Sequence, residues 1–147
     1  MISLKILNKS DNPDPEYQSS GAAGFDIAVS EDFTIEGASA GLVPTGLHVI
    51  IPEGCEGQLR LRSSMWKKHI VMPNAPGTID SDYRGEIMVP IRNLAPYQSV
   101  RFSKGERIAQ LVINEIPRVG MVYVQEGYFN SYDTNRGSKG FGSTGQN

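Results

Sequence analysis

A chain of 147 residues is the size of one ordinary domain: it can bury a real core but leaves little room for a second one. Its formal charge of −2 excludes a field strong enough to hold nucleic acid or an anionic membrane nonspecifically, so any polyanionic ligand must be met by local basic groups. The lone cysteine, Cys55, excludes an intrachain disulfide and a cysteine-cluster zinc site, and it fits a reducing compartment.

At the N-terminus, Ile2 to Leu7 alternates and carries a lysine, unlike a leader. No later apolar run approaches the ~18 residues a membrane span requires, so a soluble, cytoplasmic protein is expected. Further strands are expected at Gly24 to Val29, Leu47 to Ile51, Glu56 to Arg62, Ile87 to Asn93, Val100 to Phe102, Arg107 to Asn114 and Val122 to Gln125. Short alternating segments separated by turn residues give an all-β sandwich or barrel with very little helix. Pro90 lies inside one of these strands and cannot donate to a ladder, which places that strand at an edge or a bulge there.

Two segments depart from the pattern. Ser63-Ser64-Met65-Trp66-Lys67-Lys68 opens with hydroxyls and closes with cations, which are start and stop signals for one or two helical turns. The stretch from Asp133 to Asn147 is rich in Gly, Ser and Thr with one aromatic, too apolar-poor to fold by itself.

Three groups of residues carry chemistry. Asp80-Ser81-Asp82-Tyr83-Arg84-Gly85 packs two carboxylates, a phenol and a guanidinium together. On an extended chain Asp80 and Asp82 project the same way, as a base or as part of a divalent-cation site with further oxygen ligands. The plainer alternative is a solvated turn. Arg62-Ser63-Ser64 suits phosphate oxygens, or is an ordinary helix cap. The tail from Arg136 to Gly145 has glycines that allow close backbone approach and donors at Arg136, Lys139, Ser143 and Thr144. It reads as a phosphate clamp or as an unstructured terminus, and it is no P-loop.

In chain order these segments resemble the five motifs of the trimeric dUTP pyrophosphatase family: Ala23 to Ile27, Arg62 to Met65, Gly77 to Gly85, Gly105 to Leu111, and Arg136 to Gly145. The resemblance implies a distorted, jelly-roll-like β-barrel over residues 1–132, with a mobile arm, 133–147, closing over a neighbouring subunit's active site. It implies hydrolysis of dUTP to dUMP and pyrophosphate, with Asp80 as the catalytic carboxylate that deprotonates water attacking the α-phosphorus; carboxylates are ordinarily ionised at neutral pH, as a base requires. That activity keeps uracil out of DNA and supplies dUMP for dTMP synthesis. Tyr83 matches the ring under the deoxyribose that leaves no space for a 2′-hydroxyl. Asn74 and the backbone of Gly77, Thr78 and Ile79 match the groups that read uracil, with Met88 beside that pocket. Ser63, Ser64 and Gln110 match phosphate contacts, with Arg62 close by. Arg136 matches the γ-phosphate arginine, Phe141 the ring that closes over uracil, and Ser143 and Thr144 further phosphate donors, with Gly142 among the substrate-binding positions. Asp26, Asp82 and Arg107 are supporting positions. Magnesium is implied as an ion carried on the triphosphate, with no protein ligand, and the partners implied are dUTP and two further copies in a homotrimer with shared active sites.

The chain departs from the family pattern at Leu61, Ser64, Trp66 and Lys139, positions that bear on rate and affinity rather than reaction type. Trp66 is expected in the core or at a subunit contact. His48 and His69 are expected in structural roles, Cys55 as inert, and Lys67-Lys68-His69 as a cationic helix end rather than a nucleic-acid patch. Two rival functions stand beside the main one: a dCTP deaminase-type relative, and a non-catalytic nucleotide-binding regulatory protein on the same fold.

Overall fold

The computed structural model describes residues 3–140, which fall into two units dividing between Pro117 and Arg118. The first unit carries the strands β1 (Lys5–Asn8), β2 (Phe25–Ala28), β3 (Phe33–Ile35), β4 (Ala40–Val43), β5 (Leu47–Ile50), β6 (Cys55–Leu61), β7 (Ile70–Val71), β8 (Gly77–Ile79), β9 (Val89–Asn93), β10 (Val100–Phe102) and β11 (Arg107–Glu115). The fold is all-β. Its described strands form four antiparallel sheets, ordered β2-β11-β6-β8, β4-β9-β7, β1-β5 and β10-β3, rather than one closed barrel.

Period-two alternation builds the core. In β6, Cys55, Gly57 and Leu59 are buried while Glu56, Gln58 and Arg60 are not, and β9 buries Val89, Ile91 and Asn93 in the same way. Phe25, Ile27, Val43, Val49, Leu59, Ile87, Ile91, Phe102, Ile108 and Leu111 from all four sheets and their connections join in one cluster. Buried Asn93 is fully used: its amide donates to the carbonyls of Ile35, Glu36 and Gln98 and its oxygen accepts the Ala95 N–H, stapling β9 to the neighbouring loops. Pro90 pairs with Leu42 of β4, whereas β7 meets β9 only at Arg92 and Asn93, so the sheet has a local edge where the proline lacks its donor.

A 3-10 helical turn follows β6 over Ser63–Lys68 and ends where His69 turns left-handed, at φ 52°. Lys68 reaches across to Glu106, 2.9 Å away, and lies over the Phe102 ring, so its cation is a tie within the fold. Trp66 is 73% exposed, which corrects the alternative that placed it in the core. Among the described residues no helix is long and apolar enough to cross a membrane.

The second unit holds α1 (Glu126–Asn130), a five-residue helix that the glycine at 127 hides from sequence reading. The strand expected over Val122 to Gln125 is not formed. Alternation alone does not make a strand: its backbone needs a ladder partner, and among the described residues none pairs there. Met121, Val122 and Tyr123 stand exposed.

Candidate active site

At one end of the four-stranded sheet the ladder gathers four polar side chains. Gln110 of β11 pairs with Arg60 of β6 on one side and with Asp26 of β2 on the other, which puts all three on one face. A β-bulge between Arg107 and Ala109 then changes the register: Ile108 and Ala109 both turn into the core, and Arg107 pairs with Ala28, on the face of Asp26. Without that extra residue Arg107 would share the inward side of Ala109. Sequence reading takes Arg107 to Asn114 as a plain strand and misses the bulge, because Arg107-Ile108-Ala109 contains no glycine or proline to signal one.

The result is a double ion pair. Asp26 Oδ1 lies 3.2 Å from Arg62 Nε and Asp26 Oδ2 lies 3.1 Å from Arg107 Nη1. The Asp26 side chain is only 14% exposed, so the carboxylate is shielded enough for these bonds to matter. Arg62 Nη1 also donates to the Arg107 carbonyl, 3.3 Å away, and the Arg62 N–H donates to the Ile108 carbonyl. Arg62 itself occupies the cap position of the 3-10 turn and no side chain caps it, so the exposed hydroxyls of Ser63 and Ser64 are not spent as caps. The same end opens into a groove lined by Arg62, Ser63, Trp66, Met72, Ala75 and Pro76, with Asn74 adjoining in sequence.

The second group sits on β8 and the turn after it. Because β8 is an edge strand paired with β6 alone, the outer backbone edge of Gly77 to Ile79 has no ladder partner among the described residues. The Asn74 amide lies beside Gly77: a Cβ built there would meet Asn74 Nδ2 at 3.5 Å. Beyond Ile79 the chain turns, with the Tyr83 N–H donating to the Asp80 carbonyl at 3.1 Å, so the extended-chain argument that aims Asp80 and Asp82 together does not apply. Asp80, Asp82 and Tyr83 are exposed, and Met88 is half-buried between fully buried Ile87 and Val89.

Residues that the motifs did not single out hold this turn in place. Glu86 Oε1 accepts the N–H groups of Thr45 and Gly46 at 2.9 and 2.8 Å, at a turn where Gly46 has φ +70°. Buried Thr45 donates to the Ile87 carbonyl at 2.6 Å, and His48 Nδ1 is 3.1 Å from the Arg84 carbonyl, a structural use of that histidine. No sequence pattern connects positions 45 and 86; only the fold brings them together.

Asp80 lies far from Arg62 within one chain. Ile79 pairs with Gly57, and from there β6 and the extended Arg62 run away from Asp80. At ~3.3 Å per residue, Asp80 and Arg62 are roughly 15–20 Å apart along the ladder. In the second unit Arg136 Nε donates to the Lys139 carbonyl at 2.9 Å, and Phe141, Gly142, Ser143 and Thr144 lie outside the described residues. Among the described residues no group of three or more His, Cys, Asp or Glu side chains is placed to hold a metal ion.

Comparison with known proteins points to one family. The family model described as dUTPase matches residues 10–145. The chain is 44% identical over 147 residues to the deoxyuridine 5'-triphosphate nucleotidohydrolase of Cytophaga hutchinsonii, covering 98% of this chain and 92% of that one. It is 47% identical over 133 residues to the protein of the same name from Anaeromyxobacter, covering 90% and 87%. Among solved structures, the Staphylococcus bacteriophage 80alpha dUTPase with dUPNHPP superposes with a TM-score of 0.79 at 31% identity, over 97% of this chain and 98% of that one. A mutant dUTPase from phage phi11 of S. aureus, described for its coordination of a structural Mg(II) ion, gives 0.77 at 27% identity over 84% and 97%.

Proposed function

The chain belongs to the dUTPase family, and on that premise we propose that it is a dUTP nucleotidohydrolase, converting dUTP to dUMP and pyrophosphate on a site assembled from more than one copy. The observation that carries the reading is the backbone edge of β8, unpaired among the described residues, lying directly before Asp80. A strand edge offers alternating N–H and C=O groups, which match the carbonyl, N–H and carbonyl of a uracil ring; cytosine, with an amine in place of one carbonyl, mismatches them. Asn74, beside Gly77, adds a side-chain amide to that edge.

In this reading Asp80 takes a proton from water as the water oxygen bonds to the α-phosphorus, and the bond from that phosphorus to the bridging oxygen breaks to release pyrophosphate. Tyr83 floors the sugar and Met88 borders the base. Arg62, Ser63, Ser64 and Gln110 hold the phosphates, while Asp26 and Arg107 keep Arg62 in register. Asp82 supports the turn. The substrate is the magnesium complex of dUTP: the ion arrives on the triphosphate and neutralises part of its charge, and no protein ligand is assigned to it.

A distance of roughly 15–20 Å between Asp80 and Arg62 exceeds what one α-phosphate can bridge, which favours Asp80 of one copy facing Arg62, Ser63 and Gln110 of another. A homotrimer with three shared sites satisfies this by closed symmetry. The arm from residue 133, with Arg136, Phe141, Gly142, Ser143 and Thr144, then closes over a neighbour. The free, buried thiol of Cys55 suits a reducing setting such as the cytoplasm. Assaying pyrophosphate from dUTP, dCTP, dTTP and UTP with magnesium tests the reading: release from dUTP far above the others is expected. Ammonia released from dCTP instead, or tight dUTP binding without turnover, overturns it.

A further inference from the structure

Steric exclusion of a 2′-hydroxyl is only as good as the stiffness of the group that excludes it. Tyr83 sits on an exposed turn and is 43% exposed, a setting in which an unrestrained ring samples several rotamers. Here it is held at both ends. Its Cβ is fixed by the turn that Asp80 closes, and its phenol O–H donates to the Glu86 carbonyl at 2.9 Å. The ring also occupies the space that a side chain at position 85 would need: a Cβ built on Gly85 would fall 2.5 Å from Tyr83 Cζ and 2.9 Å from Cε2. The ring therefore lies directly against a residue that has no side chain.

The acceptor is itself anchored. The Glu86 carboxylate takes two backbone N–H groups from the β4–β5 turn, and the next residue, buried Ile87, donates to the Leu47 carbonyl at 2.8 Å while its own carbonyl accepts the Thr45 hydroxyl. On the other side of the turn Arg84 Nη1 donates to the carbonyls of Ser81 and Tyr83 at 2.7 and 2.8 Å. The phenol is thus referenced to the core through Glu86 rather than only to its own turn.

We infer that Gly85 and Glu86 are positioning residues that set the discrimination between deoxyribose and ribose, Gly85 by seating the Tyr83 ring and Glu86 by anchoring its hydroxyl. The inference rests on Tyr83 being the floor of the sugar site. Neither residue touches the substrate in this account, so each acts on the ratio of the two sugars rather than on chemistry common to both.

The test is kcat/KM for dUTP and UTP in the wild type and in Gly85→Ala, Glu86→Ala, Glu86→Gln and Tyr83→Phe, with thermal midpoints measured alongside. The dUTP:UTP ratio is expected to fall about tenfold or more in Gly85→Ala and Glu86→Ala, within the range that a reshaped pocket commonly yields. Tyr83→Phe, which removes one oxygen and adds no bulk, lowers it several-fold, about the effect of one hydrogen bond. Glu86→Gln, whose amide oxygen still accepts from Thr45 and Gly46, keeps most of it. Equal losses for both substrates, or an unchanged ratio in Gly85→Ala and Tyr83→Phe, overturn the inference. If Gly85→Ala fails to fold, Tyr83→Phe and Glu86→Ala decide. A wild type that turns over dUTP and UTP equally sinks the sugar-floor reading itself, and one that hydrolyses neither sinks the proposed function.

Discussion

Asp26 Oδ1 lies 3.2 Å from Arg62 Nε, and the partner oxygen of the same carboxylate holds Arg107. Residues from three separate stretches of sequence are locked by one side chain, at the end of the sheet where the phosphates are proposed to bind. Asp26→Asn keeps the shape and removes the charge, leaving two guanidinium groups without a counter-ion. The expected loss of stability is about 1.5–3 kcal/mol, the range for hydrogen bonds to charged groups, with a raised KM for dUTP as Arg62 loses its register. Urea unfolding together with steady-state kinetics checks both; an unchanged midpoint and KM would reduce the pair to decoration.

The separation of Asp80 from Arg62 makes a sharper prediction. Asp80→Asn and Arg62→Ala are each expected to be nearly inactive, the first by roughly 10²–10⁴-fold while it still binds nucleotide. Co-assembled in equal amounts, the two inactive chains should recover about a quarter of the wild-type sites, because random mixing in a symmetric assembly pairs an intact Asp80 with an intact Arg62 on a neighbour that often. If both residues served from the same chain, no mixture would recover activity.

Truncation after Tyr132 removes the arm without touching any strand or the core of the first unit. The shortened protein is expected to sediment as the full-length assembly does and to lose most of its turnover, since preorganised donors at comparable sites are worth about 2.7–4 kcal/mol each. Full activity in the truncated chain would contradict the clamp.

Asp11 provides a pH-dependent contact outside the site. The Lys104 ammonium, 2.7 Å from its Oδ2, hydrogen-bonds the carboxylate and holds the Asp11 carboxyl below the usual carboxylate range. A depressed folded-state pKa stabilises the fold at pH values above the unfolded pKa, and that gain is lost as the pH falls through the folded value. The difference in melting temperature between wild type and Asp11→Asn should therefore be present near neutral pH, begin to shrink near the ordinary carboxylate pKa of about 4, disappear only as the pH falls through the lowered folded value, and shrink with added salt because the pair is exposed. A difference that persists in acid would place its origin elsewhere.

The all-β class was legible because β5, β6, β9, β10 and β11 follow strong period-two or continuous apolar patterns; Val100–Phe102 emerges with its expected bounds. The strands β3, β4, β7 and β8 were not legible. Ala40–Val43 has a glycine in its middle, Ile70–Val71 is two residues long, and Gly77–Ile79 follows a run of turn residues, so each exists through its partner strand rather than through its own composition. Val122 to Gln125 shows the converse, with good alternation and no ladder. For the candidate site, Asp26, Arg62, Arg107 and Gln110 were legible as residues but not as a group, because a single-residue bulge decides which way Arg107 faces. Asp80 and Asp82 were expected to project the same way along an extended chain, but both lie in a turn closed from Asp80 to Tyr83, while the hold of Glu86 on Thr45 and Gly46 links positions that nothing in the linear order relates.

The β6–β8 ladder, with Asp80 beyond one end and Arg62 beyond the other, has a consequence for how the proposed enzyme behaves in a cell. Under the shared-site arrangement a newly made chain is catalytically silent until it meets its siblings, so turnover falls away on dilution more steeply than enzyme quantity does. A small molecule wedged at the boundary between two chains would silence all the centres of the assembly without ever resembling a nucleotide.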